Sequence, residues 1–285
     1  MKVAVIGACG YVGSATCRMF ERQGVEVVKV DPSLGDKSAS REEANSCDFA
    51  VVAVPTSMNK KEGFPYPADT SIVEGVISWL DTPLIMIKST VPPGTTRRLK
   101  EETGKHIVMS PEYIGEGRYY MPPHLDFSKD MEKTPFWIVG GDSQDVAATY
   151  DILTGILGPL KRYITMTETE AEVIKYWENT SLAIKVIMAN EMRRTCEALG
   201  VNYYAVREGW LADPRMEYFH TLAFKDAAGF GGKCLPKDLN AFARACQESG
   251  YEPRLILDVL EYNQQLREEK GLEVGYDIHD TCEHG

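Results

Sequence analysis

The decapeptide GFGGKCLPKD, residues 229–238, places one cysteine behind a pair of glycines that strip side chains from its approach. A cysteine that merely fills a core needs no such setting, because Gly231 and Gly232 cost backbone entropy and offer nothing to pack. Cys234 therefore reads as a thiol built to be reached. Lys233 and Lys237 flank it, and nearby positive charge favours the nucleophilic thiolate. Asp238 shares a helix face with Cys234 if a helix begins near Pro236, a residue that a first turn tolerates. The implied chemistry is covalent catalysis by sulfur. A glycine-rich turn that happens to hold a cysteine is the plainer alternative, and the decapeptide alone leaves both open.

Other segments supply the groups such chemistry needs. KSTVPPGTT, residues 88–96, ends a strand at Lys88 and exposes Ser89 and Thr90 beside prolines that forbid further strand pairing. PEYIGEG, residues 111–117, carries Glu112, Tyr113 and Glu116 on a short turn. Lys175 and Asn179 are four apart in a helical stretch and point the same way. Taken singly, each has an ordinary reading as a cap, a solvated loop charge or exposed helix surface. Two of these segments, however, follow strands of an alternating pattern, and strand ends in such sheets are where ligands bind.

The elements that must position these groups are legible as two textures. Short apolar, β-branched runs at 3–6, 25–30, 49–54, 84–87, 107–109 and 137–139 alternate with helical stretches, clearest at 70–80 and 143–157. Buried strands alternating with helices predict an α/β fold with a doubly wound parallel sheet, Rossmann-like. From about residue 165 the pattern turns helical. Two overlapping capping-box patterns, Thr167 with Glu170 and Thr169 with Glu172, open one long proline-free helix that runs to Gly200. The expected organisation is a Rossmann-like domain over 1–165, a mostly helical second domain over 166–271 with that long central helix, and a tail over 272–285.

The first strand feeds the turn GACGYVG and then a helix, the arrangement that sets a pyrophosphate on a helix N-terminus. Gly7, Gly10 and Gly13 are its glycines. The spacing GxxGxxG is one residue longer than the usual GxGxxG. Asp31 closes the second strand, where a carboxylate accepts hydrogen bonds from ribose hydroxyls and repels a 2′-phosphate. The cofactor expected is NAD rather than NADP. Cys9, inside the loop, reads as a small tolerated residue.

Composition narrows the partners. A chain of 285 residues with 44% hydrophobic content can bury one large or two ordinary cores. Its formal charge of −11 argues against nucleic acid or an anionic membrane as main partner. The seven cysteines lack any CxxC or metal-ligand spacing, and an odd, scattered set reads as reduced cytosolic thiols with no metal site. Without a signal-like start or a spanning apolar run, the protein is expected to be soluble and cytoplasmic.

Taken in order, GYVG, VPTS with the later DTSIVEGVI, KSTVPPGTT, PEYIGEG, EAEVIKYWEN and GFGGKCLPKD resemble the UDP-glucose/GDP-mannose 6-dehydrogenase family. The resemblance runs from residue 10 to 238, and its last motif is highly specific. It implies a four-electron, NAD-dependent oxidation of a nucleotide sugar from C6 alcohol to acid, most like UDP-glucose to UDP-glucuronate. Carried onto this chain, it makes Cys234 the nucleophile that traps an aldehyde as a thiohemiacetal and passes through a thioester. Lys175 and Asn179 hold the oxyanion, Asp238 with Lys175 takes the first proton, and Glu112, with Thr90 and Glu116, serves thioester hydrolysis. It also implies cofactor contacts from Gly7, Gly10, Tyr11, Val12, Gly13, Asp31, Pro55, Thr56, Thr90, Glu116 and Lys237. Substrate contacts fall to Glu112, Tyr113, Lys175, Asn179, Phe230, Gly231 and Gly232, with Arg215 as the nearest match to an arginine that reaches a neighbouring subunit. A homodimer is implied, with apolar residues of the long helix such as Trp177 and Met188 as part of its face.

Departures from the family pattern are the longer phosphate loop, an extended loop after Glu116, and the few residues that follow the last helix. Those residues are fewer than the roughly 30 that one βαβ unit requires, so the family's third domain, which covers the nucleotide, is expected to be missing. The alternative from another class is a truncated regulatory protein that binds NAD or a nucleotide sugar without turnover. Retention of the thiol, both glutamates, Lys175, Asn179 and Asp238 argues against it. An epimerase-type reading fails because none of the fourteen tyrosines has a lysine four residues later.

Overall fold

In the computed structural model residues 1–115 and 130–275 are described. Glu116, Cys282, most of the long loop and most of the tail lie outside them. The described residues group into two compact units, Met1–Ser57 with Asp69–Lys175, and Met58–Ala68 with Tyr176–Gly285.

The first unit holds a seven-stranded sheet. Its strands are β1 (Lys2–Ile6), β2 (Glu26–Val30), β3 (Phe49–Val52), β4 (Ile85–Ile87), β5 (Ile107–Met109), β6 (Phe136–Gly140) and β7 (Arg162–Met166), in spatial order β2-β1-β3-β4-β5-β6-β7. The central strands are buried on both faces because residues of both parities are apolar. Ala4, Ile6, Ala50, Val52, Ile85 and Ile87 pack with Val73, Val76 and Ile77 of α3 (Ser71–Trp79) and Leu99 of α4 (Thr95–Thr103). Val3, Val5, Phe49, Val51 and Met86 pack instead with Ala15, Met19 and Phe20 of α1 (Tyr11–Arg22) and Val146 and Leu153 of α5 (Ser143–Leu157). Helices on both faces make the sheet doubly wound.

Two features correct the reading from sequence. The sheet is parallel except at β5–β6, where Met109 pairs Gly140 antiparallel; a parallel pair needs a crossover, usually a helix, so the loop expected between 109 and 137 in place of a helix was the signal that the reading passed over. The strand β7 was not expected. It is an edge strand of half-exposed residues, and without a buried apolar run its signal is weak.

The second unit is helical. The helix α6 (Glu168–Ala198) enters it and is followed by α7 (Tyr203–Leu211), α8 (Leu235–Glu248) and α9 (Arg254–Glu268). Tyr176 stacks on Phe242 of α8 at 5.3 Å between ring centres. Asn240, fully buried, accepts from the Tyr66 N–H at 3.2 Å and so ties the 58–68 segment to α8. Among the described residues no helix is long and apolar enough to cross a membrane.

Only one of the two capping boxes forms. Thr167 and Glu170 bond reciprocally at the start of α6, whereas Glu172 turns away and caps a different helix. Its carboxylate oxygens accept from the N–H of Gly94 at 2.5 Å and of Thr96 at 2.7 Å, satisfying amides at the start of α4, whose N-cap Gly94 has no side chain to do so. Burial pushes Glu172 up to about 7, with the Thr96 and Gly94 groups pulling the other way. The native carboxyl thus keeps its proton across a range where the unfolded chain, near the ordinary 4.5, has lost it. Stability is therefore expected to fall as pH rises from 4.5 to 7, by up to about 3 kcal/mol from this group. Urea midpoints across that window measure it, and Glu172→Gln should flatten the decline; an unchanged slope assigns the titration elsewhere.

Candidate active site

The glycine loop lies at the switch point of the sheet, where β1 sits between β2 and β3. Two of its glycines are demanded by the protein itself. A Cβ on Gly7 would stand 2.4 Å from the Ala53 carbonyl oxygen, and one on Gly13 would stand 2.0 Å from the Gly7 carbonyl oxygen. Gly10 differs, since a Cβ there meets nothing closer than 3.4 Å. As the N-cap of α1 it offers no side-chain cap, so the loop leaves bare first-turn amides toward an approaching anion. The side chain of Tyr11 donates to the Gly115 carbonyl, while Val12 is partly buried and Gly13 buried. Asp31 accepts from the Cys9 N–H at 2.9 Å and from the Ser33 hydroxyl at 2.6 Å. Its partial burial raises the carboxyl, but the Ser33 and Cys9 donors outweigh this and hold it below the usual range. An ionised acceptor at the end of β2 and a bare helix N-terminus together fit a dinucleotide with free ribose hydroxyls. After β3, Pro55 is exposed and Thr56 is buried, donating to the Thr90 carbonyl at 2.8 Å.

A second cluster in the same unit surrounds Glu112. Lys175, nearly buried, approaches its carboxylate at 3.6 Å and stands over the Tyr113 ring at 5.4 Å from the centre. The other Glu112 oxygen accepts from the Ile114 N–H at 2.9 Å. Beneath them lies Lys88, 2% exposed, whose Nζ sits 4.6 Å above the Trp137 ring and 3.4 Å from the Ser110 carbonyl. Burial lowers this ammonium to about 8; Lys175 pushes it further down and Glu112 opposes. Thr90 is half-buried two residues on. Glu116 lies outside the described residues.

The second unit holds the cysteine. Of the six described cysteines only Cys9 and Cys234 are exposed, and both sit in glycine loops. Cys17 makes the contrast, since burial pushes its thiol up to about 11. The helix α8 starts at Leu235 with Pro236 in its first turn, which makes Cys234 the N-cap; its carbonyl accepts from the Asp238 N–H at 2.9 Å. A helix N-terminus favours negative charge at that position, and the thiolate is the nucleophilic form. Asp238, 2% exposed, accepts from Asn179 at 2.5 Å and from the Lys237 ammonium. Lys175 and Asn179 lie one turn apart on α6.

Gly231 corrects the sequence reading. Its missing side chain is not idle, since a Cβ there would lie 2.9 Å from the Arg267 guanidinium. Gly232 has φ of +79° and open space around it, so backbone conformation is what it supplies. The Phe230 ring is buried. Arg215 is exposed and its Nε is paired with Asp213 at 3.0 Å. Sequence reasoning took Lys88, the end of the apolar run LIMIK, only as a strand end and Glu172 only as a box partner of Thr169, and it passed over Asn263, which left no local signal. Among the described residues no group of three or more His, Cys, Asp or Glu side chains is placed to hold a metal ion.

A doubly wound sheet with a glycine loop at its switch point, followed by a helical unit with a long central helix, is an architecture that nucleotide-dependent dehydrogenases share. The profile of the UDP-glucose/GDP-mannose dehydrogenase family, central domain, matches residues 169–265. The UDP-glucose 6-dehydrogenase of Haloferax volcanii is 31% identical over 92% of this chain and 69% of its own. The UDP-N-acetyl-D-mannosamine dehydrogenase of Methanococcus maripaludis is 27% identical over 83% of this chain and 60% of its own. The solved UDP-glucose dehydrogenase of Pyrobaculum islandicum superposes with a TM-score of 0.76 at 27% identity, covering 94% of this chain and 71% of its own. This chain belongs to the UDP-glucose/GDP-mannose dehydrogenase family. It spans between 60 and 71% of the length of these three proteins.

Proposed function

We propose that the protein oxidises the C6 alcohol of a nucleotide sugar to the uronic acid, UDP-glucose to UDP-glucuronate, through a covalent intermediate on Cys234. The observation that carries this reading is the exposed Cys234 at the N-terminus of α8, with the buried Asp238–Asn179 pair one turn on. NAD, when bound, accepts a hydride at each of the two oxidations. Gly7, Gly10, Tyr11, Val12 and Gly13 would hold its pyrophosphate, and Asp31 would accept from its ribose hydroxyls; Pro55, Thr56, Thr90, Glu116 and Lys237 are the remaining proposed contacts.

In the first oxidation Asp238, with Lys175, takes the proton of the C6 hydroxyl as the aldehyde forms. Cys234 then adds to the aldehyde carbon as its thiolate. Its C–S bond forms as the carbonyl oxygen becomes an alkoxide, held by Lys175 and Asn179. Loss of one such donor typically costs about 2.7 to 4 kcal/mol. Loss of the remaining C6 hydrogen as hydride leaves a thioester. Glu112, with Thr90 and Glu116, then activates the water that opens it, forming the carboxylate and returning the thiol. Glu112, Tyr113, Phe230, Gly231, Gly232 and Arg215 complete the proposed substrate contacts. A cytoplasmic homodimer is the proposed state, and Trp177 at 48% and Met188 at 40% exposure leave apolar surface on α6 for it.

Stoichiometry tests the reading. Incubation of limiting UDP-glucose with excess NAD should yield two NADH per sugar at 340 nm. UDP-N-acetylmannosamine in parallel separates the sugar classes. NAD binding with no NADH from either sugar would refute the proposal.

A further inference from the structure

The proposed reaction needs the loop before Cys234 held in one place, yet glycines make that loop conformationally free. The restraint comes from α9. Asn263, fully buried, accepts from the Phe230 N–H at 2.6 Å and donates to the Phe230 carbonyl at 3.0 Å. One carboxamide thus satisfies both main-chain groups of a single residue, imitating the pairing of a neighbouring strand. Among side chains that do not titrate, asparagine and glutamine alone present a donor and an acceptor in one plane for this task. The fit is close. A Cβ on Gly229, which has φ of +72°, would lie 2.4 Å from Asn263 Oδ1. One turn along the same face of α9, Arg267 lies against Gly231 and reaches the Ala228 carbonyl at 3.5 Å.

We propose that Asn263 is the positioning residue for the nucleophile: by clamping Phe230 it fixes where residues 229–234 lie on α9, and so where the Cys234 sulfur stands. The inference rests on the reading of Cys234 as the reacting group. Asn263 acts through the five-residue chain from Phe230 to Cys234.

The test compares Asn263→Asp and Asn263→Gln with the unaltered full chain, measuring kcat with UDP-glucose, NAD affinity and thermal midpoint. Aspartate keeps the acceptor but sets an oxygen against the Phe230 carbonyl, so kcat should fall about 100-fold, the loss typical of an ångström-scale misplacement. NAD affinity should stay within about two-fold, since all the proposed cofactor contacts except Lys237 belong to the other unit. Glutamine retains both functions on a longer stem and should recover about ten-fold of the lost rate. If Asn263→Asp does not fold, Asn263→Gln alone decides, with about a ten-fold lower kcat expected at unchanged NAD affinity. Full kcat in a folded variant overturns the inference, as does a parallel loss of NAD affinity, which would mark general damage. Cys234→Ser, run alongside, separates the two levels. Acid formation by that variant would end the proposed function itself, whereas its inactivity together with full kcat in Asn263→Asp would end only the role of Asn263.

Discussion

Cys234→Ser is expected to lower uronic-acid formation by about 10³-fold or more while leaving NAD affinity within about two-fold, because an alcohol at this position is a far weaker nucleophile than a thiolate. The selectivity of the effect follows from placement. Cys234 is exposed at the N-terminus of α8, in the unit that does not contain the dinucleotide loop. Cys246 lies on the same helix but is partly buried, and burial raises its thiol. Cys246→Ser should therefore keep close to full activity and serves as the control. Quantifying UDP-glucuronate by mass spectrometry, with NAD affinity from nicotinamide-quenched protein fluorescence, reads both quantities. Undiminished acid production by Cys234→Ser would remove the covalent step from the scheme.

The second large effect concerns folding. Gly13→Ala should destabilise the protein by more than about 3 kcal/mol, because relief of the clash requires backbone to move. The added Cβ would stand 2.0 Å from the Gly7 carbonyl oxygen, 2.8 Å from its carbon and 3.0 Å from Ala8 Cα. No rotamer change offers escape, since none of these atoms belongs to a side chain. The matching fall in thermal midpoint is about 6 to 12 °C. Gly10→Ala should behave oppositely. Its Cβ would make only ordinary contacts, 3.4 Å from the Gly7 carbonyl oxygen and 3.9 Å from that of Ala53, so stability should hold; if the bare N-terminus of α1 holds a pyrophosphate as proposed, the added methyl at its N-cap should lower NAD affinity about ten-fold. A native-like midpoint for Gly13→Ala, or unaltered NAD affinity for Gly10→Ala, would contradict the loop geometry.

The two glycines illustrate how sequence and structure divide the information. Spacing alone identified Gly7, Gly10 and Gly13 as one loop, but it could not say which of them the packing of the protein itself demands. That distinction depends on the carbonyls of Ala53 and Gly7, which the sheet brings to the spot. The same division runs through the acidic residues. The place of Asp31 just after β2, where it accepts from the Cys9 N–H of the glycine loop, was legible because a strand end and a glycine turn are local patterns. Glu172 was misassigned as a box partner of Thr169, since the amides it serves lie 76 and 78 residues away.

What the sequence by itself determined are the features set by neighbours along the chain. These include the apolar alternation that makes buried strands, the Thr167–Glu170 box that starts α6, the proline in the first turn of α8, and the order of motifs that places this chain in its family. Tertiary structure alone decided the burial of Lys88 over Trp137 and the clamp of Asn263 on Phe230 across 33 residues. Local preferences act over a few residues, whereas a buried polar group must find its partner wherever packing brings one within hydrogen-bonding distance.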